Sequence, residues 1–189
     1  MIIADKDMQV VIRPQDIPPQ GRHFDFDLDS SQLNERVAEV RKVADHQSLM
    51  PPSYVFNSAP KASLKVYRRG NSVEIHGSLF GAYSTPCSRC AEDTEVKLDV
   101  PVNITLEKSA GKEGEQDDVA IGYYVGEEIE LQSVVEEFAV LALPFSVLCS
   151  EGCKGLCTSC GANLNSEMCA CPPPEGDERF AVLRGLKIQ

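Results

Sequence analysis

Eight cysteines are the residues of this chain best suited to chemistry, and six of them crowd into one stretch: Cys149, Cys153, Cys157, Cys160, Cys169 and Cys171. The stretch reads Cys-x3-Cys-x3-Cys-x2-Cys-Gly-x-Asn-Leu-Asn-x3-Cys-x-Cys. In a reducing compartment such a cluster is more often a metal site than a set of disulfides. Cys157-Thr-Ser-Cys160-Gly161 has the spacing of a zinc knuckle, because two intervening residues let both sulfurs reach one tetrahedral ion. Gly161 supplies the left-handed backbone position that such a turn needs. Cys169 and Cys171, with one residue between them, complete a set of four thiolates.

Folding energetics point the same way. Between Cys149 and Glu178 the only large apolar residues are Leu156, Leu164 and Met168. Burying three side chains returns far less than the backbone entropy lost on ordering some thirty residues, at about 1–2 kcal/mol each. A structural zinc contributes roughly 10–16 kcal/mol and supplies much of the difference.

Cys87-Ser-Arg-Cys90 lies far upstream, between two predicted strands. Redox pairs of this spacing belong at a strand-to-helix turn of a βαβ unit, which the surrounding sequence lacks. The preferred partition gives Cys87, Cys90, Cys149 and Cys153 one ion, and Cys157, Cys160, Cys169 and Cys171 a second. The main rival places a single ion among the C-terminal six, with two spare thiols, and leaves Cys87 and Cys90 as a redox or vacant pair. A closed four-thiolate site has no open coordination position, so neither ion would activate water. His23, His46 and His76 are scattered and read as surface or strand residues. No Gly-rich phosphate loop or nucleophile elbow occurs. The pairs Glu127-Glu128 and Glu136-Glu137 read as solvated faces, and no enzyme is expected.

The elements that must position these thiols are mainly strands. Met8 to Arg13 reads as an edge strand followed by a proline-rich loop. His23 to Asp29 alternates apolar and acidic residues as a half-buried strand does. Ser30 or Ser31 is expected to cap a helix whose face is Leu33, Val37 and Val40. Leu64–Arg68 and Val73–Leu79 alternate about Gly70-Asn71, a hairpin, and residues 95–104 continue the meander. Residues 109–118 are polar and aperiodic, a loop, and Ile121–Val125 suits one more strand. Glu128–Leu143 shows a broad helical stripe of Ile129, Val134, Val135, Phe138, Ala139 and Leu141, ended by Pro144. A short helix is predicted after Asp177, carrying Phe180, Leu183 and Leu186.

The fold class is therefore α+β: an antiparallel β-sheet with a few helices and a cysteine-rich, zinc-ribbon-like C-terminal segment. Residues 1–144 are expected to form a mainly β domain with helices near 31–42 and 128–143. Residues 145–189 would form the zinc-knuckle segment and a short C-terminal helix, packed on the first domain as one unit.

With 42% hydrophobic and 25% charged residues, the composition is that of an ordinary globular protein. No apolar run reaches membrane-spanning length, and the first residues show no signal-peptide pattern, so a cytoplasmic location without membrane association is expected. The formal charge is −11, and two four-thiolate zinc sites would take it to about −15. Such a charge repels phosphate at long range. It suits a cationic protein partner, an RNA contact confined to a local patch, or solubility alone.

Cys87-Ser-Arg-Cys90, Leu143-Pro144, and the run Leu148-Cys149-x3-Cys153-Lys-Gly-Leu-Cys157-x2-Cys160-Gly-x-Asn163-Leu-Asn165 together resemble the YceD family, the large ribosomal RNA subunit accumulation proteins. The ending Asp177 to Leu186 is similar as well, and the likeness runs from about residue 50 onward. The resemblance implies a cytoplasmic, non-enzymatic factor for accumulation or processing of 23S ribosomal RNA. The partner it implies is the 23S precursor; the acidic surface suits a basic large-subunit ribosomal protein as the alternative, and no small-molecule substrate is expected. An acidic protein acting on RNA needs a local cationic face. The candidates are Lys61, Lys65, Arg68, Arg69, Arg89, Arg179, Arg184 and Lys187, against the plainer reading of scattered surface cations. Two other classes compete: a redox-regulated zinc chaperone and a generic zinc-stabilised protein-interaction module.

Overall fold

The computed structural model describes residues 10–45, 53–109, 121–172 and 179. The polar loop at 109–118 (apart from Ser109), the helix expected after Asp177 (apart from Arg179) and His46 lie outside the described residues. The chain divides into two compact units: Met1–Thr85 with Glu95–Phe145, and Pro86–Thr94 with Ser146–Gln189.

The first unit is built on β-structure. Its elements begin with β1 (Val11–Ile12), β2 (Arg22–Asp27) and helix α1 (Ser30–Asp45). Then follow β3 (Lys61–Arg69), β4 (Ser72–Pro86), β5 (Asp93–Lys108), β6 (Ile121–Tyr124), β7 (Ile129–Glu130) and α2 (Leu131–Leu141). Five strands form one sheet in the order β2-β3-β4-β5-β6, and β1 pairs with β7 in a second, two-stranded sheet.

The hairpin expected about Gly70-Asn71 is present: Arg69 stands opposite Ser72, so the loop has two residues. Period-2 alternation fixes which face is buried. Ala62, Leu64 and Val66 of β3 face the core with Val73, Ile75 and Leu79 of β4, while Lys61 and Lys65 face solvent. The last pairing departs from the expected antiparallel meander. β5 and β6 run parallel, with Thr105 opposite Ile121 and Lys108 opposite Tyr124. Residues 109–120 supply the roughly dozen residues that a parallel crossover requires.

Both helices differ in detail from the periodicity. Asp29, not Ser30 or Ser31, caps α1: its Oδ1 accepts the amides of Ser31 at 2.7 Å and Gln32 at 3.2 Å. A carboxylate there also meets the positive end of the helix dipole. Leu33 and Val37 are buried as expected, but Val40 is exposed. The polar links from α1 to α2 come from Gln32 and Arg36, so Val40 lies beyond the packed turns. The helix expected from Glu128 starts instead at Leu131. Ile129 and Glu130 pair with Ile12 and Val11, and the Leu131 amide donates to Val10 O, which satisfies donors that a helix start leaves unpaired. Ile129 is thus buried through a strand, and Leu141, expected on the stripe, is exposed.

Glu136 corrects the solvated-face reading. It is 1% exposed and lies on the buried side of α2 with Leu131, Gln132, Val135 and Ala139. Its carboxylate receives Arg36 Nη1 at 3.3 Å and Gln132 Nε2 at 3.0 Å, and Gln132 also reaches Gln32 at 3.1 Å. A buried charge is tolerated because it is paired and hydrogen-bonded. Glu137, Glu127 and Glu128 are exposed; the last two pair with Lys108 and Arg13.

Candidate metal centre

The second unit contains all eight cysteines, every one a free thiol. Its first turn, Cys87–Cys90, connects the end of β4 to the start of β5. The Ala91 amide donates to Cys87 O at 2.9 Å, and the Cys87 amide to Glu92 O at 2.8 Å. The same turn recurs at Cys157–Cys160. There the Gly161 amide donates to Cys157 O at 2.9 Å and the Cys157 amide to Ala162 O at 2.8 Å. The residue after the second cysteine is left-handed in both, with φ 59° at Ala91 and 75° at Gly161. Gly161 carries this at no steric cost, whereas Ala91 holds a strained conformation worth about 1–2 kcal/mol. The absence of a glycine after Cys90 hides this equivalence in the sequence; the repeated Cys-x2-Cys spacing is the signal that remains.

The thiols gather into two sets of four: Cys87 with Cys90, Cys149 and Cys153, and Cys157 with Cys160, Cys169 and Cys171. Within each set the sulfurs all lie within 4.8 Å of one another. Cys87 Sγ is 3.8 Å from Cys153 Sγ, and Cys90 Sγ is 3.6 Å from Cys149 Sγ. In the second set Cys169 Sγ is 3.3 Å from Cys157 and 3.4 Å from Cys160. Four sulfurs at about 2.3 Å from a tetrahedral ion stand about 3.8 Å apart, whereas a disulfide bond is about 2.05 Å. Both sets therefore have the dimensions to hold a metal ion.

Electrostatics within each set favour a cation. Cys87 is pushed down to about 6, chiefly by the Arg89 amide aimed at its sulfur, with the Cys149 amide adding to it. Cys157 is likewise pushed down to about 6 by the amides of Cys160 and Ser159. For Cys90 the Glu92 amide favours the thiolate, but burial and the neighbouring thiols outweigh it and push the group up to about 12. The Cys169 and Cys160 thiols push Cys171 up to about 12. Four thiolates so close cannot all be charged alone, and a divalent cation removes the repulsion.

Among the described residues of this unit, Val147 is the one buried aliphatic side chain. Met168 is fully exposed and Leu156 is 40% exposed. The first set is the more enclosed one, with Cys87, Cys90 and Cys153 at 2–4% exposure and only Cys149 exposed, while the second has Cys160 exposed and its other three members half-buried. Polar ties complete the scaffold. Arg89 Nη1 donates to Cys153 O at 2.9 Å, the Leu156 amide to Arg89 O at 3.1 Å, and the Val147 amide to Ser88 Oγ at 3.1 Å. Of the two asparagines quoted above only as part of a motif, Asn165 donates to Cys153 Sγ and Asn163 to Glu92 Oε1, beside the first turn.

The other candidates fall elsewhere. Arg89 is committed to Cys153, and Arg68 donates to Gly70 O. Lys61, Lys65 and Arg69 share one solvent face of β3, where Lys65 and Arg69 flank the Tyr67 ring. The neighbouring strand interleaves carboxylates, with Asp25 opposite Ser63 and Asp27 opposite Lys61, and Arg69 pairs with Glu74. Arg184 and Lys187 lie outside the described residues. His23 bonds Asp25, and His76 bonds Asn103, both on the exposed side of the sheet.

A mixed-sheet α+β protein with two four-cysteine centres is the class that this geometry defines. Residues 75–187 match the family described as Large ribosomal RNA subunit accumulation protein YceD, and the chain belongs to that family. It is 26% identical over 156 residues to the Arabidopsis thaliana protein named Large ribosomal RNA subunit accumulation protein YCED homolog 1, chloroplastic, covering 68% of this chain and 49% of that protein. It is 30% identical over 106 residues to an uncharacterized protein of Mycobacterium tuberculosis, covering 55% of this chain and 51% of that one. The chain spans about half the length of these curated relatives. No solved structure matches it. Among the described residues no helix is long and apolar enough to cross a membrane.

Proposed function

We propose that this protein is a non-enzymatic ribosome-biogenesis factor that promotes accumulation or processing of the 23S RNA of the large subunit. Two structural zinc ions, held by Cys87, Cys90, Cys149 and Cys153 and by Cys157, Cys160, Cys169 and Cys171, would order its cysteine-rich unit. The observation that carries the first part is the family match, which spans both Cys-x2-Cys turns. The observation that carries the second is the pair of four-thiol sets at tetrahedral spacing. Thiolate-rich sets of this geometry suit zinc, and four protein ligands leave it no open position, so its role is to fold and not to activate water. The formal charge of −11 favours a basic large-subunit protein or a locally neutralised RNA segment as the contact.

A strain depleted of the protein, profiled for precursor and mature 23S RNA, is expected to lose mature 23S RNA relative to the small-subunit RNA. An unchanged ratio would end the proposal. Crosslinking then separates a 23S precursor from a basic ribosomal protein as the partner. Metal analysis of purified protein is expected to find two zinc ions per chain, and Cys87→Ser and Cys157→Ser are each expected to lose one.

The greater exposure of the second set (the outer one, the first being the inner) supports a second reading, in which its oxidation ejects zinc and switches on a chaperone activity. Mild peroxide should then release about one equivalent of zinc and produce suppression of client aggregation. Zinc content that does not change under peroxide removes this reading.

A further inference from the structure

The two cysteine sets differ in exposure, yet they are joined by a short hydrogen-bonded ladder. The loop between Cys160 and Cys169 runs back along the segment that leaves Cys153. Asn163 bridges to Leu156, and the Leu164 amide donates to Gly155 O at 2.9 Å. This register brings Asn165 beside Cys153. Its Nδ2 donates to Cys153 Sγ at 3.3 Å and to Asn163 Oδ1 at 2.9 Å, while its Oδ1 accepts the Lys154 amide at 2.8 Å. Asn163 Nδ2 reaches Glu92 Oε1 at 2.6 Å, and the Glu92 carbonyl accepts the Cys87 amide. The loop that the outer set closes thus grips both halves of the inner one.

We propose that Asn165 is a positioning residue through which occupancy of the outer metal centre sets the affinity of the inner one. The inference rests on the reading that each set of four binds an ion. The physics is a linkage. The outer ion spans the ends of the Cys160–Cys169 loop, which has only Leu164 and an exposed Met168 as large apolar side chains. Without that ion the loop gains backbone entropy on leaving the ladder, and Cys153 loses its N–H···S bond from Asn165. A donor of this kind sets the orientation and electronics of a metal ligand, and its removal typically weakens binding about 10- to 100-fold. Coupling between binding sites is reciprocal, so the inner ion strengthens the outer by the same factor. Exposure makes the outer centre the first to release, and its release then loosens the inner.

The test uses the full chain, loaded with zinc and titrated with a chelator. Native mass spectrometry counts chains carrying two, one and no ions, and cysteine alkylation shows which set opened. In the wild-type protein alkylation is expected first at Cys157, Cys160, Cys169 and Cys171. The one-zinc species should be scarcer than two independent sites allow. Asn165→Leu is expected to restore the independent distribution and to weaken the inner centre about 10-fold or more. Asn165→Asp keeps an acceptor for the Lys154 amide but loses both Nδ2 donors and sets a carboxylate beside the Cys153 sulfur, so it should weaken the inner centre at least as much as Asn165→Leu. Asn165→Asp protein that binds both ions as the wild type does overturns the inference. An independent distribution in the wild-type protein does the same. Protein that binds no zinc refutes instead the underlying reading of two metal centres.

Discussion

A thiol that must bind metal has to give up its proton, and the two Cys-x2-Cys turns prepare one sulfur each for that. Backbone amides aimed at Cys87 and Cys157 push both down to about 6, below the value of about 8.5 usual for a free thiol. A depressed value favours the folded, thiolate-bearing state above the ordinary thiol range, and the advantage is lost as pH falls through about 6. Zinc affinity, measured by competition with a chelator over a pH series, is therefore expected to decline as pH falls from about 8.5 and to be largely lost below about pH 6. Zinc retained undiminished well into the acid range would contradict this. Glu136 makes the second case at this scale. Glu136→Ala strips Arg36 and Gln132 of their shared partner, but Arg36, 35% exposed, can turn to water. The expected loss is about 1–3 kcal/mol, read as a lower denaturant midpoint with an unchanged slope.

Among the elements, the β3–β4 hairpin sets the geometry of the first unit, and Gly77 is its tightest point. A Cβ on Gly77 would stand 2.1 Å from Ser63 O and 2.9 Å from Leu64 Cα, both backbone atoms of the facing strand. Neither can move without breaking the pairing of Leu64 with Gly77. Gly77→Ala is expected to prevent folding or to cost clearly more than Gly70→Ala, which meets no atom within 4 Å but must hold a left-handed φ of 63° at about 1–2 kcal/mol. Comparable midpoints for the two variants would argue against this packing. Helix α2 shows why periodicity misses an element's start. Ile129 fits the helical stripe equally well, but a partner strand was available for its backbone, and pairing with Ile12 prevailed.

The whole molecule joins a unit that carries its own apolar core to one in which, among the described residues, Val147 is the one buried aliphatic side chain. Leu64, Ile75, Leu79, Val102 and Val135 are 0% exposed in the first, whereas the buried cluster of the second is Cys87, Cys90 and Cys153. The two should therefore respond differently to a chelator. Removing metal is expected to open the 146–172 stretch to protease while β-sheet circular dichroism persists, because burial alone supports the first unit. A cysteine-rich stretch still resistant to protease in metal-free protein would show that something other than thiolate–metal bonds orders it.

Period-2 and period-3.6 patterns, a two-residue turn and Cys-x2-Cys spacing are local properties. The hairpin at Gly70-Asn71, the strand at Arg22–Asp27 and a metal-suited Cys157–Cys160 turn were therefore determined by the sequence alone. Other features depend on partners remote in the chain. Glu136 finds Arg36 across 100 positions, β6 adds parallel to β5, and Asn165 lands on Cys153 Sγ. These contacts were decided by the tertiary structure, because a sulfur, a carboxylate or a strand edge carries no mark in sequence of the group that will satisfy it once the chain has collapsed.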